Sequence, residues 1–208
     1  MLNRITFSRN SNITNIDYFI LLNSLFFLMM CTFVYYEQYR AAVNVHEYFI
    51  YASLIFLATF LIWYRYKHVE MKLSLLVLVE LGIFLHFSGG LIEVNNQRLY
   101  EVEFYHIGFD KYVHFINSMI ATFITLYVLA KRGLAPNNFI MLVAFLIVLG
   151  LGGVVEIIEF GITLIVENHG VGSYHNNMMD LVSNLLGAVS ALFLFKYWLQ
   201  SYVDNWHQ

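Results

Sequence analysis

Four polar clusters lie in or at the ends of long apolar stretches, where a chain embedded in lipid normally has no such residues. They combine histidine, carboxylate, asparagine and glycine residues at helical spacings: His86-x-x-Gly89-Gly90, Asp110-Lys111-x-x-His114-Phe115, Glu156-x-x-Glu159 and Asp180-x-x-x-Asn184-x-x-Gly187. Ionisable groups inside a bilayer are costly, so they tend to face one another, face water or carry function. The clusters therefore predict a functional site.

The ionisable side chains of these clusters form a mixed nitrogen and oxygen donor set: His86, Asp110, His114, Glu156, Glu159 and Asp180. Imidazole and carboxylate donors without a thiolate suit zinc, manganese or non-haem iron. Helical bundles build dimetal centres from carboxylates and histidines three or four residues apart, although the usual Glu-x-x-His pairs are missing here. We predict all six as metal ligands, and Asp110, His114, Glu156 and Glu159 as the catalytic groups.

Two other interpretations of the same residues remain open. In one, they form a hydrogen-bond network that only fixes helix packing, because buried polar groups normally satisfy one another. In the other, they relay protons or an ion. Three or four unpaired carboxylates would cost on the order of 10 kcal/mol on insertion scales. They must therefore be protonated, paired, hydrated or bound to metal.

The composition places these clusters in a membrane protein. Hydrophobic residues make up 60% of the 208 residues and charged residues 12%, and the mean hydropathy is +0.65. Soluble domains carry about 25% charged residues. Six continuous apolar stretches approach or exceed the roughly 20 residues that a span needs: 17–36, 46–64, 71–92, 112–130, 139–166 and 178–199. We predict an all-α, polytopic integral membrane protein with six transmembrane helices.

Helical spacing places each cluster on one face of its helix, because residues i, i+3, i+4 and i+7 are neighbours. Small residues beside the polar ones allow helices to approach closely. Helices 3–6 are therefore predicted to form an inner four-helix unit with a polar pocket at one end. Helices 1 and 2 lack such a stripe and are predicted to lie at the periphery. With no linker and no repeat of 20–50 residues in the sequence, residues 1–208 are predicted to form a single transmembrane domain.

The distribution of positive charge orients the predicted helices. With six spans, both termini lie on one side, and eight of the eleven lysines and arginines fall there. The positive-inside rule makes that side cytoplasmic. The loops 93–111 and 167–177, and with them all four clusters, are then expected on the outer side of an inner or plasma membrane. The chain lacks the basic stripe that nucleic-acid binding needs.

The order and spacing of the motifs resemble a known family. Asp110-Lys111-x-x-His114-Phe115, Glu156-x-x-Glu159 and Asp180-x-x-x-Asn184-x-x-Gly187-Ala188 are similar to the VanZ-like membrane proteins, with a resemblance over roughly residues 86–190. His86-x-x-Gly89-Gly90 is closer to a related uncharacterised family of bacterial inner-membrane proteins. The VanZ-like pattern usually has Gln at the position of Glu159 and an Arg before Asp180. The resemblance implies a multi-span membrane protein, linked in one branch to glycopeptide resistance.

Together these features favour chemistry on a lipid or cell-envelope precursor at the outer leaflet. The acidic residues would serve as ligands or general bases, and His86 and His114 as ligands or proton carriers. The alternatives are a non-catalytic binder of a headgroup or an ion, a small transporter, or a structural or immunity-type membrane protein.

Overall fold

The computed structural model describes residues 13–41, 46–67, 71–165 and 172–199, and six long α-helices dominate them. The helices are α1 (Asn15–Ala41), α2 (His46–Tyr66), α3 (Leu73–Leu91), α4 (Phe109–Lys131), α5 (Asn138–Ile165) and α6 (Tyr174–Leu194). A π-helix, Phe195–Leu199, continues α6. Each long helix contains a segment long and apolar enough to cross a membrane, which confirms the predicted six-span, all-α fold. The chain ends, predicted to be cytoplasmic, lie outside the described residues.

Two helices begin three or more residues earlier than their apolar stretches indicate. α4 starts at Phe109 rather than Tyr112, and α6 starts at Tyr174 rather than Met178. At α6, the Ser173 hydroxyl caps the first turn by accepting a hydrogen bond from the backbone N–H of Asn176 at 3.4 Å. Polar first turns are therefore part of both helices, and they carry side chains of the site.

α4 is the central helix of the inner four-helix unit. It packs against α3, α5 and α6, and α5 also packs against α6. The Ser118 hydroxyl of α4 donates to the backbone carbonyl of Asn184 on α6 at 2.6 Å. Gly187 of α6 lies directly against the backbone carbonyl of Phe115. Small residues on α6 thus allow the closest helix approach in this unit, as expected for helices packing in lipid.

The peripheral helices α1 and α2 pack against each other, and α1 also contacts α3. One polar pair fixes α1 on α3: the side-chain amide of Asn23 donates to Glu80 Oε1 at 2.6 Å. A second polar pair joins α2 to α1: the Trp63 indole of α2 donates to Asp17 Oδ1 of α1 at 2.8 Å. Glu80 therefore belongs to the α1–α3 interface and not to the polar clusters.

The helix faces without a protein neighbour are apolar. On α5, the side chains of Leu146, Ile157 and Leu164 are 57%, 70% and 69% exposed. A soluble protein rarely exposes a continuous apolar surface of this kind. These faces suit contact with lipid.

The segment between α3 and α4, predicted as a plain loop, forms two short β-hairpins. Strand β1 (Glu93–Val94) pairs with β2 (Gln97–Arg98), and β3 (Glu103–Phe104) pairs with β4 (Ile107–Gly108). The 3₁₀ turn Leu99–Glu101 separates them. Both two-residue turns have positive φ at both positions, Asn95-Asn96 and Tyr105-His106, which is the geometry of tight hairpins. We call the end of the bundle that carries them the hairpin end.

The two hairpins repeat each other at an interval of ten residues. In the first, the N–H of Leu99 donates to the carbonyl of Ile92 at 2.8 Å. In the second, the N–H of Phe109 donates to the carbonyl of Val102 at 3.0 Å. Tyr100 and Asp110 therefore occupy equivalent positions, one residue after each hairpin.

Gly187→Ala is expected to lower the melting temperature in detergent, because the added methyl group would meet the backbone of Phe115. Over-filling a packed contact costs about 1–3 kcal/mol. The measurement is thermal unfolding followed by tryptophan fluorescence. The matched control is Gly161→Ala on α5, where a Cβ would meet nothing within 4 Å. An equal loss in both variants would contradict close α4–α6 packing at Gly187.

Candidate functional site

Lys111, in the first turn of α4, joins α4 to α6. Its ammonium lies 2.7 Å from Asp110 Oδ2 and 2.8 Å from Asp180 Oδ1. It also donates to Asn176 Oδ1 at 2.7 Å, and the amide of Asn176 donates to Asp180 Oδ2 at 2.9 Å. The side chain of Asp180 is 2% exposed and that of Lys111 is 12% exposed. One buried cation therefore balances two carboxylates from different helices.

His114, one turn further along α4, connects this ion-pair network to α5. Its Nδ1 lies 3.8 Å from Glu156 Oε1, and its Nε2 lies 3.7 Å from Asp180 Oδ1. Both separations exceed hydrogen-bond length. One donor atom from each of His114, Glu156 and Asp180 lies within 4.8 Å of the other two. Three helices thus bring one imidazole and two carboxylates to a common point.

Glu156 is the member of this group that lacks a partner. It is 7% exposed, and neither of its carboxylate oxygens has a hydrogen-bond partner among the described residues. Buried polar side chains are normally hydrogen-bonded. The carboxyl group therefore requires a proton, a water molecule or a cation in the space beside His114 and Asp180.

Tyr100, which follows the first hairpin, holds His86 of α3. Its hydroxyl lies 2.5 Å from the backbone carbonyl of His86 and 2.8 Å from the ring Nδ1. A carbonyl only accepts and a hydroxyl has one hydrogen, so the hydroxyl donates to the carbonyl and accepts from Nδ1–H. In the neutral ring, Nε2 is then left as an acceptor. Burial, followed by the carboxylate of Glu159, raises the pKa of Tyr100 above its usual value and keeps this donor protonated.

The two glycines of His86-x-x-Gly89-Gly90 make room for tyrosine rings. A Cβ at Gly89 would meet the ring of Tyr100, and one at Gly90 would meet the ring of Tyr48. The Tyr48 hydroxyl donates to the backbone carbonyl of Gly90 at 2.6 Å. The motif therefore anchors the first hairpin and α2 on the end of α3.

A cavity of about 80 Å³, here called the hairpin-end cavity, collects most of the predicted site residues. Five of the six predicted ligands line it: His86, Asp110, His114, Glu159 and Asp180. The described structure thus places the six in one region. Their immediate surroundings differ: His114, Glu156 and Asp180 share the close grouping, whereas Asp110 is bound to Lys111 and His86 to Tyr100.

Helix α2 reaches the site, although the sequence indicated only a peripheral position for it. Tyr48 and Tyr51 of α2 line the hairpin-end cavity, and the Tyr51 ring packs edge-on against the His86 ring at a centroid distance of 5.2 Å. Aromatic residues are common throughout this chain, so nothing in their spacing distinguished these two. Tyr100 could have been found from the sequence, because the ten-residue repeat places it at the position equivalent to Asp110.

Comparison with known proteins shows the family. Residues 11–201 match a family described as predicted membrane protein (DUF2238). The chain belongs to this family. No curated protein and no solved structure matches the chain. For this DUF2238 protein, the VanZ-like resemblance stays a prediction from the motifs.

Lys111→Met is expected to destabilise the protein by about 3–5 kcal/mol, because it leaves the buried Asp180 and the partly buried Asp110 without a counter-charge. The measurement is unfolding by denaturant in detergent. Lys131→Met, at the exposed far end of α4, is the control and should change stability by about 0.5 kcal/mol or less. The double variant Lys111→Met with Asp180→Asn should regain part of the loss. If Lys111→Met matches the control, the buried ion pair does not stabilise the fold.

Tyr100→Phe is expected to loosen the first hairpin from α3, because it removes the only hydroxyl that holds the His86 carbonyl and Nδ1 in the described structure. Leaving such groups unsatisfied costs about 1–3 kcal/mol. Hydrogen–deuterium exchange over residues 92–101 should become faster. The control is Tyr105→Phe. Tyr105 lies in the turn of the second hairpin and is 94% exposed, so this substitution should leave exchange unchanged. Equal protection in the two variants would contradict the proposed anchor.

Proposed function

We propose that this integral membrane protein binds a divalent cation through His114, Glu156 and Asp180 and uses it in chemistry on the polar head of a lipid or cell-envelope precursor. The observation that carries the proposal is the buried Glu156 carboxylate, whose two oxygens have no partner in the described structure. A cation placed beside it would satisfy that group and draw the three donors together.

The separations between the donors support a cation. Ligands about 2.1 Å from a tetrahedral zinc lie roughly 3.4 Å from each other. The imidazole of His114 is 3.8 Å from Glu156 Oε1 and 3.7 Å from Asp180 Oδ1. These contacts involve two different ring nitrogens, whereas one donor atom from each residue gives separations within 4.8 Å, so side-chain movements of about 1 Å would bring the three donors to coordination spacing. His114 can offer only one ring nitrogen to a given ion, so one of the two carboxylates must also reorient.

The network around Lys111 leaves Asp180 able to act as a ligand. Asp180 Oδ1 accepts from Lys111 and Oδ2 from Asn176, but each carboxylate oxygen has two lone-pair sites. Hydrogen bonds of this kind orient a ligating carboxylate in known metal sites. Asp110, held by Lys111 at 2.7 Å, then acts as a positioning residue.

The remaining predicted residues suit proton transfer and substrate binding. Glu159 and His86 both line the hairpin-end cavity beside His114. In this proposal Glu159 is the general base, and a cation held by His114, Glu156 and Asp180 would supply Lewis-acid chemistry at the polar head. The excess of positive charge at the opposite end of the bundle supports an outward-facing site in the plasma membrane, at the level of the lipid headgroups.

A second candidate function is proton relay without a metal. It is favoured by the position of the His114 ring, whose two nitrogens face different carboxylates. An imidazole between two acids can accept a proton on one side and release it on the other. The site would then serve a small transporter or a non-catalytic binder.

Metal content separates the two candidates. The wild-type protein, purified in mild detergent, is stripped with EDTA, reloaded with Zn²⁺, Mn²⁺ or Fe²⁺ and measured by elemental mass spectrometry. About one ion per chain is expected for the preferred metal. Glu156→Gln should weaken binding by about 100-fold or more, because loss of even an outer-shell partner costs 10–100-fold.

The matched control for this experiment is Glu80→Gln. Glu80 is also a carboxylate within a membrane span, but it is bonded to Asn23 at the α1–α3 interface. Its substitution should leave metal binding unchanged. The cation proposal fails if the wild type binds no metal, or if Glu156→Gln and Glu80→Gln behave alike. Proton uptake into vesicles that depends on His114 would then support the relay.

A further inference from the structure

A second, larger cavity continues from the site toward the middle of the membrane. It has a volume of about 440 Å³ and is called here the inner chamber. Side chains from α2, α3, α4 and α5 form its walls, with Asn184 contributed by α6. The volume lies within the range of about 300–1,000 Å³ that is typical of small-molecule sites. The chamber is therefore large enough for part of a ligand.

The chamber and the hairpin-end cavity adjoin. Four residues line both of them: Tyr51, His86, His114 and Glu159. The remaining walls of the chamber are mostly aliphatic, as at Ile83, Ile124 and Val148. A ligand that occupied both spaces would thus have a polar end among histidine and carboxylate groups and an apolar body in the chamber.

The chamber is elongated along the helices. On α4 the lining residues run from His114 to Ile124, and on α5 from Glu159 to Val148. At 1.5 Å per residue, these stretches correspond to roughly 15 Å, about half the thickness of the hydrocarbon core. This length fits a single extended hydrocarbon chain that enters from one leaflet.

Away from the end shared with the hairpin-end cavity, the polar side chains of the chamber walls lie close to neighbouring helices. The Ser118 hydroxyl donates to the carbonyl of Asn184, the Asn184 amide lies against Gly152, and the Asn117 amide lies against Gly82. Apolar cavities tend to stay dry, and an empty one loses packing contacts on every wall. A hydrocarbon chain inside the chamber would restore those packing contacts.

We propose that the inner chamber holds one hydrocarbon chain of a phosphate-headed lipid whose head occupies the hairpin-end cavity. This inference rests on the proposed function for the head, since a divalent cation at His114, Glu156 and Asp180 binds phosphate oxygens. Arg98 also lines the hairpin-end cavity and adds a positive charge suited to an anionic head. The bilayer around the spans supplies such lipids.

The test uses phosphatidic acid with a photoreactive diazirine at mid-chain, in vesicles of dioleoylphosphatidylcholine that contain the full-length protein. After illumination, labelled peptides are mapped by mass spectrometry. Wild-type labelling should concentrate at chamber positions such as Ile120 and Ala121. Val155→Phe, which fills the chamber from α5, should reduce that labelling about tenfold.

The matched control is the neighbouring substitution Val154→Phe. Val154 is half exposed and lines neither cavity, so labelling of the chamber should persist. Ala121→Phe fills the chamber from α4 and should reproduce the Val155→Phe result if that variant folds poorly. Equal labelling in the filling and control variants, or labelling spread over lipid-facing positions such as Ile157, would overturn the inference.

Metal content of the same samples separates this inference from the proposed function. If the inference alone is wrong, the wild type binds its cation and chamber labelling is insensitive to Val155→Phe. If the cation proposal alone is wrong, no metal is found while labelling still responds to Val155→Phe. Both proposals are supported if Val155→Phe reduces chamber labelling and if removal of the cation abolishes chamber labelling of the wild type.

Discussion

The ion pair that Lys111 forms with Asp110 and Asp180 is the constraint on which the site depends. It balances one buried and one partly buried carboxylate with one cation, and it ties the first turn of α4 to the second turn of α6. Removing charged groups from water is costly, and Asn176 offsets part of that cost by accepting a hydrogen bond from Lys111 and donating one to Asp180. With α4 and α6 held in this way, His114 lies between Asp180 and the carboxylate of Glu156 on α5.

The hairpin end of the bundle also fixes the positions of site residues. Two hairpins with the same hydrogen-bond pattern place Tyr100 and Asp110 at equivalent positions, and each side chain then engages a different part of the site. Tyr100 fixes His86 on α3, and Asp110 engages Lys111 on α4. A short extramembrane segment thus sets the positions of groups on two helices, which explains how a site can form although α3 makes little direct contact with α5 or α6.

The limited contact of α3 with α5 and α6 also accounts for the inner chamber. α4 lies between α3 and the α5–α6 pair, and the space on one side of it is lined by α2, α3 and α5. Helices in lipid gain little from simple apolar contact with each other, because the acyl chains are equally apolar. An apolar chamber therefore costs less stability here than in a soluble protein, and this one adjoins the polar site.

The sequence alone determined the number of spans and identified candidate residues for a site. Continuous apolar runs about 20 residues long are incompatible with a soluble fold, and ionisable residues inside them are too costly to be incidental. Only the tertiary structure decided which of those residues meet. Helical spacing fixes the face on which His114 or Glu156 lies, but contacts between helices depend on their rotation and depth. The same limit concealed Tyr48, Tyr51 and Tyr100, since an aromatic residue near a helix end has the same spacing whether it faces lipid or a binding site.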